Sequence, residues 1–172
     1  TFVDATDGVL ARLTRVKEVT PGFDGARLDD IVDYLTFVFL PLLVLYHAAN
    51  LPDTWGWLPV AAVLLSSAYG FSSTDAKTDD YFFTGFPSYW NIVAFYVVVL
   101  GLGQWATATL IVVLSILVFV PVKYVYPSRT QEWWWVNMTT TAAWFAAYAV
   151  ILVQLPDPSA ALVGLSLAYV AF

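Results

Sequence analysis

Four aspartates, Asp4, Asp7, Asp29 and Asp33, are the residues of this chain best equipped for chemistry. They fall in two short segments, Asp4-x-x-Asp7-Gly8-x-x-Ala11-Arg12 and Gly25-x-x-x-Asp29-x-x-x-Asp33, separated by twelve residues. On a helix, residues three or four apart share a face. Each pair therefore presents two carboxylates together, and two such helices side by side bring four to one place. Arg12 and Arg27 are too few to neutralise the set. Divalent cations would do so, and all-oxygen ligation selects hard ions, Mn2+ or Mg2+. Four carboxylates suffice for two ions, the arrangement of phosphoryl-transfer sites. Gly8, Ala11 and Gly25 lie among the acids and let a ligand approach the backbone. Arg12 offers its planar fork to a phosphate oxygen.

Each of these residues also has a plainer reading. Asp29 and Asp30 in a first helical turn would simply complement the helix dipole, worth about 0.3–1 kcal/mol. Glycine and alanine are common in membrane helices, and Arg12 serves equally as an interfacial charge. Asp33 does not fit this account. It lies a turn deeper, beside Tyr34-Leu35-Thr36-Phe37. An ionisable group in a transmembrane helix costs about 2.5–3.5 kcal/mol at the bilayer centre, less near the end, and marks a functional site by default.

The elements that must position these acids are apolar. Hydrophobic residues make up 60% of the 172, charged residues 12%, and the mean hydropathy is +0.73. Soluble domains carry about a quarter charged residues. The expected fold is all-α: a polytopic transmembrane helical bundle, with residues 1–172 as a single integral membrane domain. After a helical stub over residues 1–17, spans are expected at about 26–48, 57–71, 87–102, 105–122, 139–155 and 159–172, where a bilayer needs ~20 residues for a full crossing. Pro41 is expected to kink the first full span, and Pro87 to sit in the first turn of the third. Residues 72–85 are expected to form a polar loop. The chain opens at Thr1 inside a helical pattern, so a further helix upstream is expected.

The absence of cysteine excludes disulfide and thiolate chemistry. His47 is a single interfacial imidazole, and a net charge of −6 argues against a nucleic-acid partner. Parity fixes an orientation. Counting crossings from the Arg12–Arg27 loop places all seven lysines and arginines on one side of the membrane. This is the positive-inside pattern, and it assigns the acids to the cytoplasmic end of their helices.

The two acid segments together resemble the signature of the CDP-alcohol phosphotransferase family: Asp4, Asp7, Gly8, Ala11, Arg12, Gly25, Asp29 and Asp33 all match. The twelve-residue gap after Arg12 is longer than in most members and is similar to that of the bacterial phosphatidylcholine synthase branch. The stretch from Lys77 to Asn91 and Val16-Lys17-Glu18-Val19 resemble the same branch. The resemblance implies the family's membrane fold of at least six helices, eight in this branch, and a possible homodimer; the spans above, with the stub, make about seven helices in this chain, the first truncated. It implies CDP-diacylglycerol and choline as substrates, with phosphatidylcholine and CMP as products, at the bacterial inner membrane. Asp4, Asp7, Asp29 and Asp33 would hold the metal, and Asp33 would be the catalytic base. Asp7, Gly8, Ala11, Arg12 and Gly25 would line the CDP site. A quaternary ammonium calls for an aromatic cage, with Tyr81, Phe86 and Trp90 as candidates, although aromatic belts collect such residues anyway. Serine or inositol as acceptor, a membrane cation transporter and a silent membrane scaffold are the competing readings.

Overall fold

The computed structural model describes residues 8, 10–48, 51–75, 78, 82–125 and 133–171. Residues 8 and 10–13 are helical, and a short helix α1 (Val16–Val19) lies in the loop that follows. Asp24 then caps α2 (Gly25–Asp33), its carboxylate accepting the Arg27 backbone N–H at 3.3 Å. The rod continues without a break through a π-helical turn, Tyr34–Phe39, into α3 (Leu40–His47). Pro41 has no N–H, and its ring excludes the carbonyl one turn back. The hydrogen-bond ladder widens just before it, so that the Leu40 N–H reaches back five residues to the Leu35 carbonyl. The expected kink thus takes the form of a π turn, a device frequent at functional sites.

The other helices are α4 (Trp57–Ser72), α5 (Trp90–Val99), α6 (Gln104–Leu117), α7 (Trp134–Val153) and α8 (Ala160–Ala171). Every full span expected from the sequence has a helix at its place. One of them, Trp134–Val153, is by itself long and apolar enough to cross a membrane, and several others are shorter apolar helices. Leu65, Trp105 and Leu165 are each at least 70% exposed, so the helices turn large apolar side chains outward. The mostly helical fold is compatible with a helical membrane protein.

Helix α5 is the central rod, because both of its flanks are covered. Trp90, Ala94 and Val97 join Val38, Leu42, Leu45, Val63 and Ile111 in one core cluster, which ties the π turn, α3, α4 and α6 to it. Phe95 and Tyr96 join Trp144, Ile151 and Val163 in a second, which brings in α7 and α8. Buried hydrogen bonds cross-link the rods. Trp90 Nε1 donates to Ser67 Oγ at 2.7 Å, Trp144 Nε1 to the Tyr96 hydroxyl at 3.0 Å, and that hydroxyl to Ser166 Oγ at 3.0 Å. Such polar links between apolar helices serve where water is absent.

The structure departs from expectation in one region. At the end of the expected polar loop 72–85, β1 (Phe82–Thr84) pairs antiparallel with β2 (Lys123–Val125), which follows α6, Phe83 opposite Tyr124. Aromatic and β-branched residues favour such a ribbon. Beside it, the Gly85 N–H donates to the Val122 carbonyl and the Phe86 N–H to the Leu117 carbonyl, at 2.9 and 3.0 Å. The Leu117 carbonyl belongs to the last turn of α6, where carbonyls lack helical partners. Residues 87–89, with Ser88 at φ +57°, lead from this docking point into α5. The helix accordingly begins at Trp90, and Pro87 is not in its first turn.

Gly85 is held there by geometry. Its φ is +75°, and a Cβ would run into the Val118 carbonyl oxygen. Gly85→Ala is expected to cost about 1–3 kcal/mol from backbone strain alone. The check is thermal unfolding in detergent. A melting temperature equal to that of the parent chain would contradict the docking of the ribbon on α6.

Candidate metal and substrate site

Helix α2 buries none of its residues. Asp29 and Asp33 lie one turn apart on it, about 6 Å along the axis. Asp29 is exposed; Asp33 is half-buried where the helix enters the π turn. Because α2 starts at Gly25, no acid occupies its first turn. This removes the dipole account of Asp29 and Asp30. The acid that serves the helix N-terminus is Asp24, which also holds Arg27, Nε to Oδ2 at 3.1 Å. Sequence reasoning overlooked Asp24, although an aspartate immediately before Gly-Ala-Arg is an ordinary capping signal.

Asp4 and Asp7 lie outside the described residues, as does Tyr81. Among the described residues no three carboxylate, imidazole or thiol side chains come together. Asp29 and Asp33 supply half of the expected donor set, and that half fits a hard divalent ion: two carboxylates one turn apart on one helix. Gly8, Ala11 and Arg12 are exposed on the preceding helical stretch. A Cβ on Gly8 would make only ordinary contact with Arg12 Nη1, at 3.6 Å, and one on Gly25 would meet nothing within 4 Å. Among the described residues, packing forces neither position to be glycine, and Gly25 faces open space.

The rest of the site end is built by neighbouring rods. The Tyr34 hydroxyl donates to the Leu64 carbonyl at 2.8 Å, and its ring meets Phe71 edge-on at 5.8 Å. The start of the acid-bearing rod and the end of α4 are therefore at the same end of the bundle. The β1–β2 ribbon draws the two later basic loops together there as well, in accord with the parity count. Phe86 is half-buried, edge-on to Trp90 at 5.1 Å and to Tyr124 at 6.3 Å. Trp90 is 0% exposed with its indole N–H engaged. Its ring buttresses Phe86 and the first core cluster. Lys123 Nζ sits 5.4 Å from the Phe82 ring centroid, so a ribbon ring already faces a cation.

No protein-family model matches the chain, and no solved structure matches it. Curated relatives do. A phosphatidylcholine synthase of Pseudomonas aeruginosa is 38% identical over 171 residues, 99% of this chain and 72% of that protein. One of Legionella bozemanae is 49% identical over 128 residues, covering 74% of this chain and 59% of its own length. One of Legionella pneumophila is 48% identical over 129 residues, 74% of this chain and 51% of that protein. These relatives are synthases by name. The chain belongs to the phosphatidylcholine synthase family, and it spans between 51% and 72% of the length of these relatives.

Proposed function

We propose that this chain transfers the phosphatidyl group of CDP-diacylglycerol to choline, giving phosphatidylcholine and CMP. It does so in a multi-pass bundle of the CDP-alcohol phosphotransferase type, on the cytoplasmic side of a bacterial inner membrane. The observation that carries this is the 38% identity over 171 residues with the Pseudomonas aeruginosa phosphatidylcholine synthase. The placing of Asp29 and Asp33 one turn apart on α2 supports it, as does the open space at Gly25.

Asp4, Asp7 and Asp29 would hold Mn2+ or Mg2+, with Asp33 completing a site for a second ion. The ions, when bound, neutralise charge on the pyrophosphate and on the departing CMP. Gly8, Ala11, Arg12 and Gly25 line the CDP moiety, Arg12 meeting a phosphate oxygen. Asp33 accepts the choline hydroxyl proton. The choline oxygen bonds to the phosphorus that carries diacylglycerol, and the bond from that phosphorus to the oxygen of CMP breaks. Holding the alcohol against the phosphorus converts an encounter into a local event, and much of the rate follows from that. Phe86 and Tyr81 offer ring faces to the trimethylammonium group, and Trp90 supports Phe86 from behind. The exposed Leu28, Ile31 and Val32 on α2 give lipid or a second copy an apolar face.

A cation transporter would line its path with acids near the midplane. Among the described residues the buried polar side chains are serines and threonines. That favours the enzyme. Feeding labelled choline or labelled serine to cells that make the protein, and to matched cells that do not, tests the acceptor. Label from choline should enter phosphatidylcholine only when the protein is present. Incorporation of serine without choline would overturn the choice of acceptor.

A further inference from the structure

Among the described residues, the side-chain oxygen of Asn91 is the one buried polar side-chain atom that no donor reaches. Asn91 is the second residue of α5. Trp90, Ala94 and Val97 of that helix face one core cluster, Phe95 and Tyr96 the other. By helical spacing Asn91 falls between the two flanks. Helix α5 packs on the π turn Tyr34–Phe39 as well as on α3, and Asp33 immediately precedes that turn. An acceptor closed off from water and from every donor is costly to keep, so each such atom calls for a ligand or a reason.

We infer that Asn91 sets the choice of acceptor alcohol, its Oδ1 facing the quaternary ammonium of choline. This rests on the reading of choline as the acceptor. Choline has a single hydrogen-bond donor, its hydroxyl, and that proton goes to Asp33. Its other end carries a full positive charge and no N–H. A carbonyl that holds no donor presents its whole negative end to such a cation, and neither group leaves a hydrogen bond unmade. A primary ammonium would bring three N–H groups against one carbonyl oxygen, which cannot pair them all. The half-buried ring of Phe86, four residues before α5, supplies an aromatic surface at the same end of the helix.

The test compares wild type, Asn91→Leu and Asn91→Asp in membranes, reading CMP release against choline and against 3,3-dimethylbutan-1-ol, the uncharged isostere. Asn91→Leu should raise the choline KM about tenfold while kcat stays within about twofold, the pattern of lost ground-state binding. Its KM for CDP-diacylglycerol and for the isostere should not change, and its melting temperature should hold or rise. Asn91→Asp keeps an oxygen in place and should hold or lower the choline KM. A wild-type choline KM in Asn91→Leu overturns the inference, as do equal rises for choline and the isostere. Should Asn91→Leu fail to fold, Asn91→Asp decides, and a raised choline KM there overturns it. No choline-dependent release from wild type removes the reading beneath, and the inference with it.

Discussion

Asp33→Asn should abolish choline-dependent CMP release, lowering turnover by about 10²–10⁴-fold or more, the range for loss of a general base. The substitution keeps the shape of the side chain and removes its charge and its basicity. Asp33 is only half-buried at the junction of α2 with the π turn, and α2 packs no buried residue against the bundle. The cost to the fold should therefore be modest, about 0.5–1.5 kcal/mol for one altered hydrogen bond, with a melting temperature a few degrees from the parent at most. Nucleotide binding should survive, because Asp29, Asp4, Asp7 and Arg12 remain. Binding of CDP without turnover, measured on the same preparation, separates a lost base from a lost site. Full turnover in Asp33→Asn would remove the proposed base.

Trp90→Ala should act on the fold. Trp90 is 0% exposed at the heart of the cluster that joins the π turn, α3, α4, α5 and α6. Truncating a buried tryptophan costs about 3–5 kcal/mol. Ser67, also fully buried, loses the indole donor that reaches it at 2.7 Å. Trp90→Phe keeps most of the volume and removes the hydrogen bond, so its cost should be about 1–3 kcal/mol. Unfolding in detergent should rank the parent above Trp90→Phe and Trp90→Ala last. A cage wall would behave differently. Its loss would raise the choline KM and leave stability nearly intact, and that outcome would return Trp90 to the pocket.

Much of the helical framework was legible because its signals are long and redundant. Apolar runs broken by Gly25, by Pro52-Asp53 and by Gly101 to Gly103 place helix ends within a few residues of those observed, and parity of the basic loops checks the count. The placement of Asp29 and Asp33 was legible because identity and spacing act together: the two share a helix face at any reasonable choice of boundary. The region from Phe82 to Tyr89 was not. Its strands are three residues each, and they pair with a segment about forty residues away, Lys123–Val125, so no local periodicity reports them. The docking of Gly85 and Phe86 on α6 is likewise a tertiary event, and it overrides the preference of Pro87 for a first helical turn. The packing of Trp90 was hidden for a related reason. An aromatic residue near a membrane interface looks the same in sequence whether its ring faces a ligand or the core. Only the contact with Ser67, a partner twenty-three positions earlier, separates the two.

The most direct measurement of the central claim is CMP release from CDP-diacylglycerol in membranes carrying the protein. It is read with Mn2+ or Mg2+ present or chelated, and with choline added or withheld. The account predicts release only when a divalent ion and choline are both supplied, with phosphatidylcholine formed mole for mole. Release that persists after chelation, or that ignores choline, would contradict it.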